Sequence, residues 1–151
     1  MRLLCDHMLG TLAKWLRFMG YDTAYPGPLG DTDLLALAER EDRVLLTRDK
    51  ELAGRSARVL RVHSDELEEQ IREAAFALRL RLIDPLSRCS LCNTPLVAAK
   101  PEEVGGLVPE GVRTRHTSFW RCPSCAKVYW QGSHWDKMIE RLNHFDLPKS
   151  V

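Results

Sequence analysis

The chain has 151 residues, 44% hydrophobic and 28% charged, a composition that fits a folded domain of ordinary size, or a small domain with an accessory module, and excludes a disordered chain. Twenty-two lysines and arginines stand against 21 aspartates and glutamates, so no overall basicity advertises a nucleic-acid partner. Residues 1–85 carry 13 basic and 15 acidic groups and residues 86–151 carry 9 and 6, so any nucleic-acid contact must rest on local patches. The opening residues offer no secretory signal and no run is long enough to span a membrane, so a cytoplasmic location is expected. In that compartment paired cysteines point to metal rather than to disulfides.

Leu3-Leu4-Cys5 reads as a buried strand that stops at Asp6. Leu9, Leu12, Ala13, Leu16 and Met19 recur at helical spacing and predict a helix over Met8–Met19, stopped by Gly20. Lys14 and Arg17 share one face of it. Thr23-Ala24-Tyr25 is a second strand, closed by Pro26-Gly27-Pro28. Asp31 is placed as the N-cap of the next helix, with Asp33 in its first turn, where negative charge suits the helix dipole. Arg43–Thr47 is a third strand ending at Arg48-Asp49, a short helix lies around Glu51–Arg55, and Val59–Val62 is a fourth strand. A long helix is expected from Ser64 to about Leu82. Strands alternating with helices imply an α/β fold with a parallel sheet and flanking helices.

Ligands of such sheets bind beyond the carboxyl ends of the strands. Asp6 and Asp49 both follow strand ends, and Asp31 can reach the same edge. Three carboxylates converging there repel one another unless a cation lies between them, and oxygen-only ligands suit Mg²⁺ or Mn²⁺. Taken singly, Asp31 and Asp33 are ordinary helix-start residues, Asp49 is a cap for the helix after it, and Lys14 and Arg17 are solvated cations. The inference rests on the set.

Asp84-Pro85 breaks the long helix, dividing the chain into residues 1–84 and 85–151. Cys89-Ser90-Leu91-Cys92 and Cys122-Pro123-Ser124-Cys125 are two C-x-x-C knuckles, each able to present two thiolates to one tetrahedral zinc ion. The 29 residues between them exceed the roughly 15–20 usual for this pattern, and Pro101–Gly111, rich in glycine and proline, reads as a surface loop that takes up the excess. Phe119-Trp120 and Val128-Tyr129-Trp130 read as a hairpin whose aromatics either stack on bases or, the favoured reading, cover the ribbon's own thin core. Arg113, Arg115, His116 and Arg121 are a basic cluster able to meet a phosphate backbone. A last helix is expected over Asp136–His144, with His134 just before it.

Asp6, Met8-Leu9-Gly10 and the run Leu12–Thr23 resemble the start of the PIN-like ribonuclease domain found at the C-terminus of mut-seven-type exonucleases. Asp31-Thr32-Asp33-Leu34-Leu35 and Arg43-Val44-Leu45-Leu46-Thr47-Arg48-Asp49 resemble its next two motifs, in the right order. The two knuckles and Gly132–Trp135 extend the resemblance over nearly the whole chain. It implies a PIN-like fold with a fused zinc ribbon, holding one structural zinc through Cys89, Cys92, Cys122 and Cys125. It also implies an acidic Mg²⁺ or Mn²⁺ site of Asp6, Asp31 and Asp49, with Asp33 as a fourth member and Glu51 standing where many PIN nucleases carry another acid. The expected activity is metal-dependent endonucleolytic hydrolysis of RNA, with Lys14, Arg17 and Arg48 as candidates for holding phosphate. PIN-like domains often pair, and some are toxins, so a homodimer and an inhibitor protein are both open partners. Two rivals stand beside this reading. One is an RNA- or ribosome-binding module that keeps the shape and does not cleave. The other is a small-molecule phosphohydrolase, against which Met8 counts, because haloacid-type enzymes need a second aspartate there. Neither G-x-G-x-x-G nor G-x-x-x-x-G-K-[ST] occurs in residues 1–85.

Overall fold

A computed structural model describes residues 1–145 and 147. Four short strands, β1 (Arg2–Cys5), β2 (Asp22–Ala24), β3 (Val44–Thr47) and β4 (Val59–Arg61), form one sheet in the order β2-β1-β3-β4. All three pairings are parallel, with Leu3 opposite Thr23, Cys5 opposite Leu46 and Thr47 opposite Arg61. Side chains alternate between faces along each strand. Leu3, Cys5 and Leu46 join a core with α1 (Gly10–Phe18) and α4 (Leu67–Leu78), while Leu4 and Leu45 meet Leu34 and Ala38 of α2 (Asp31–Arg40) and Leu52 of α3 (Lys50–Ala53). Each of these leucines is almost wholly buried, which contributes about 1.5–3 kcal/mol apiece. Burial pushes the Cys5 thiol above its ordinary range, with the Asp6 charge adding to the rise, so Cys5 is an inert core residue.

α1 ends at Gly20 as expected, with φ of 107° there. The amide of Gly20 donates to the Arg17 carbonyl and that of Tyr21 to Leu16, which completes a Schellman cap. A Cβ at position 20 would meet the backbone nitrogen of Asp84 at 2.9 Å, so glycine also admits the segment leaving α4. α4 is shorter at both ends than its sequence pattern suggests. The residues before it are held in a loop, where the Glu73 carboxylate accepts the amides of His63 and Ser64. Its C-terminus turns at Arg79, which is left-handed with φ of 56°. Asp31 is the first residue of α2 rather than its cap; Gly30 holds that place without a side-chain bond.

The second unit is a three-stranded antiparallel sheet, β5 (Val97–Ala99), β6 (Phe119–Arg121) and β7 (Val128–Tyr129). The expected hairpin is its β6-β7 pair. Residues 101–111 are not the surface loop that their glycines and prolines suggest but part of a lid on this sheet. A 3-10 turn (Pro101–Val104) and α5 (Glu110–Arg115) bring Val104, Val108 and Val112 against Phe119 and Val128. A three-stranded sheet has an open apolar face, and these valines close it. α6 (Ser133–His144) then leaves the ribbon. Its Leu142, with Phe145 just after the helix, is buried in the core of the first unit, and Trp135, Met138 and Ile139 pack there. A boundary at residue 84 therefore separates the sequence but not the packing. No helix among the described residues is long and apolar enough to cross a membrane.

Candidate functional site

Asp6 follows β1 and Asp49 lies two residues beyond β3, so both stand at the carboxyl edge of the sheet. Asp6 is only 5% exposed. Its Oδ1 accepts the Met8 amide at 3.0 Å, starting the 3-10 turn His7–Leu9 that leads into α1. Its Oδ2 accepts the hydroxyl of Thr47. The same hydroxyl oxygen accepts the amide of Asp49 at 3.1 Å, so Thr47 ties the two acidic positions together. Sequence reasoning misses Thr47; its one signal there is its place as the last residue of the strand in Leu-Leu-Thr-Arg-Asp. Asp49 Oδ1 accepts the amides of Glu51 at 2.8 Å and Leu52 at 3.3 Å and caps α3. Each carboxylate keeps unused lone pairs. Asp31 and Asp33 occupy the first turn of α2, which the parallel topology also puts at this edge. Glu51 is exposed in the first turn of α3.

The three basic candidates part company. Arg17 is 5% exposed, donating through Nε to the Thr23 carbonyl at 2.8 Å and through Nη1 to the Ser90 carbonyl at 2.9 Å. Burial lowers its pKa, against the neighbouring thiols and Asp22, which raise it. It holds the protein together and is not displayed to a phosphate. Lys14 is exposed, on the outer side of α1. Arg48 follows Thr47 directly, and its Nε is buried without a hydrogen-bond partner among the described residues. Arg61, at the end of the neighbouring strand, shares that condition.

Cys89, Cys92, Cys122 and Cys125 come together with their sulfurs within 4.8 Å of one another, a set that can hold a zinc ion. The two knuckles repeat one backbone design. The amide of Asn93 donates to the Cys89 carbonyl and that of Ala126 to the Cys122 carbonyl, while the amides of Cys89 and Cys122 donate to the carbonyls of Thr94 and Lys127. Asn93 and Ala126 are both left-handed, at φ of 66° and 67°. Burial raises the Cys122 thiol, but the amides of Cys125 and Ser124 and the Cys92 thiol outweigh it and bring it down to about 6. Tyr129 is a partner with no signature in the sequence: its hydroxyl lies 3.1 Å from the Cys89 sulfur and accepts the Ser90 amide at 3.0 Å. Phe119 is buried in the ribbon core, and Trp130 packs against it while half-buried.

Asn93 also fastens the first knuckle to the sheet. Its Oδ1 accepts the Thr23 amide at 3.0 Å and its Nδ2 donates to Asp22 Oδ1 at 2.7 Å. Arg43 donates to the same carboxylate oxygen at 2.8 Å, and Arg2 reaches Oδ2 at 3.3 Å. Burial pushes the Asp22 carboxyl up, yet the bonds from Arg43 and Asn93 prevail and hold it at about 2.

Among the described residues, the four cysteines are the one group of three or more His, Cys, Asp or Glu close enough to share an ion. Asp6, Asp31 and Asp49 share an edge but are not gathered about a point. The donor chemistry of that edge, carboxylate oxygens with spare lone pairs, fits a hard divalent cation.

Searches of curated proteins and of solved structures found no match. A family model described as "Mut7-C RNAse domain" matches residues 1–142, taking in the sheet, both knuckles and most of α6. The chain belongs to the Mut7-C RNAse domain family.

Proposed function

We propose that the protein is a metal-dependent endoribonuclease whose active edge is built on Asp6, Asp31 and Asp49, with Asp33 beside them. The observation that carries this reading is the Thr47 hydroxyl, which bonds both the Asp6 carboxylate and the Asp49 backbone at the carboxyl end of adjacent parallel strands. In a chain of a ribonuclease family, that is the place where a parallel sheet receives its ligand. Asp6, Asp31 and Asp49 would hold a Mg²⁺ or Mn²⁺ ion, which would supply Lewis-acid activation of water and offset charge on the leaving 3′-oxygen. The chain's own groups do the positioning. Thr47 and the Met8 amide fix the Asp6 carboxylate, and the Glu51 and Leu52 amides fix that of Asp49. Asp31 completes the set from α2. Arg48, directly after Thr47 and half-buried at this edge, is the cation we assign to the substrate phosphate. Products with 5′-phosphate and 3′-hydroxyl ends follow from attack by water at phosphorus.

The test is cleavage of end-labelled single-stranded RNA by zinc-loaded protein with Mn²⁺, comparing wild type with Asp6→Asn. Cleavage lost in the variant, with zinc content and circular dichroism unchanged, supports the reading; equal cleavage by both refutes it. A non-catalytic RNA-binding module is the second reading, and one observation favours it: the carboxylates are not drawn together as the thiols are. It expects RNA binding that survives Asp6→Asn, without cleavage by either protein.

A further inference from the structure

A well-formed groove lies away from the acidic edge. It has a volume of about 540 Å³ and lies where the outer side of α1 meets the ribbon and the start of α6. Its size is within the roughly 300–1,000 Å³ of ligand clefts. Four cations line it, Lys14, Arg88, Lys127 and Arg141, and none of the described residues lining it is acidic. In a chain of net charge +1, that concentration of one sign is local. Aromatic rings share the lining with the cations: Trp15 from α1, Tyr129 and Trp130 from the ribbon, and Trp135 from α6.

Two of the cations are seated on these rings. The Arg141 guanidinium lies 4.9 Å from the centre of the Trp15 indole, and the Lys127 ammonium 5.1 Å from that of Tyr129. Such stacking holds a charge in place without neutralising it. Arg88 donates to the Asn93 carbonyl, which likewise leaves its charge intact. Arg141 also touches a carboxylate, Glu68, at an exposed 3.3 Å. At the back of the ribbon strand, Gly132 makes room for Trp130: a Cβ there would meet the indole at 2.6 Å.

We propose that this groove binds unpaired RNA flanking the scissile bond, with bases stacked on the exposed parts of the half-buried Trp130 and Trp135 and the backbone phosphates on its lysines and arginines. Cations beside flat rings suit the phosphates and bases of a single strand, which a duplex cannot present because its bases are stacked inside. The position supports a flank. Thr11, at one end of the lining, is five residues beyond Asp6 and in the first turn of α1, and Phe18 at the other end lies about 10 Å further along the helix. The inference rests on the nuclease reading for its substrate, but not for its measurement.

The experiment is equilibrium binding of a fluorescent twelve-nucleotide uridine RNA to zinc-loaded protein without Mg²⁺ or Mn²⁺, over a range of salt, so an inactive acidic edge does not register in it. The variants are Lys14→Glu with Lys127→Glu together, and Lys14→Arg with Lys127→Arg. Both positions are exposed, and zinc content checks the ribbon. The charge reversal is expected to weaken binding at least about tenfold and to flatten the log–log salt slope by about 1.4, the slope for two phosphates that the protein no longer neutralises, while the arginine pair binds like wild type. A matched duplex is expected to bind more weakly than the single strand. Equal affinity of the reversed variant and wild type overturns the proposal, as does preference for the duplex. Failure to bind the RNA, with an acidic polypeptide such as polyglutamate bound instead and released by the same reversal, also overturns it and marks the groove as a protein-binding surface.

Discussion

The thiol set of this protein and the acidic set proposed for its active edge are built on opposite plans. The thiols come from two copies of one local turn, and the turn alone orients them: each knuckle presents its cysteines through the same amide bonds and the same left-handed residue. The carboxylates come from three elements separated by a whole βα unit, and only the sheet brings them to one edge. The first plan gives a preassembled site on a unit with little core. The second places its carboxylates apart on a well-packed core, and on the proposed nuclease reading a substrate would complete that site.

Removing zinc is the strongest way to break the comparison. Chelation is expected to take away on the order of 10 kcal/mol of binding energy that holds the ribbon together. Amide hydrogen exchange should show residues 87–131 losing protection while β1 and β3 retain theirs. If β1 and β3 melt with the ribbon, the two plans are one cooperative unit. At the other site, Asp6→Asn is expected to lower RNA cleavage on the order of 10²-fold, read from initial rates. Thermal unfolding of that variant should stay within a few degrees of wild type, because Asn still accepts the Met8 amide.

The joint between the two units is the next test. Asp22→Asn removes the charge that Arg43, Arg2 and Asn93 surround. The folded pKa lies below the unfolded one, so this group stabilises the fold above about pH 4 and the benefit fades as pH falls toward 2. After solvent screening the variant should be less stable by on the order of 1 kcal/mol at pH 7, with the gap closing in urea melts near pH 2. The smallest effect sharpens the comparison of the knuckles. Ala126→Gly should stabilise by about 0.5–1 kcal/mol, because alanine is strained at φ of 67°. Asn93→Gly, at the matching position, should destabilise, since its side chain bonds Thr23 and Asp22.

Local signals explain what the sequence could disclose. The thiol set is legible from spacing alone, because a C-x-x-C knuckle carries its geometry with it. The parallel sheet follows less directly, from alternation and from the motifs at Asp6 and Asp49. Long-range partners are not legible. Arg17 reads as a surface cation beside Lys14, and its long-range partners, the Thr23 and Ser90 carbonyls, are what hold it inside. Val104 and Val108 sit among glycines and prolines, which signal a loop, and only the open face of the ribbon sheet makes them core. α6 follows the ribbon in sequence, so a division at residue 84 gives no hint that Leu142 returns to the first core. The ambiguity of Asp49 is real in physical terms: it caps α3 and stands at the edge at once.

The bond from Thr23 to Asn93 has a consequence for the life of the chain. β2 is an outer strand of the sheet, and Asn93 occupies its backbone with a side chain that reaches it only from a folded knuckle. An uncovered strand of this kind is a template for pairing with other chains. With zinc as the ion of the four thiols, a chain that has not taken it up would leave the Thr23 amide of β2 unmet, and zinc starvation is expected to surface as self-association of the protein.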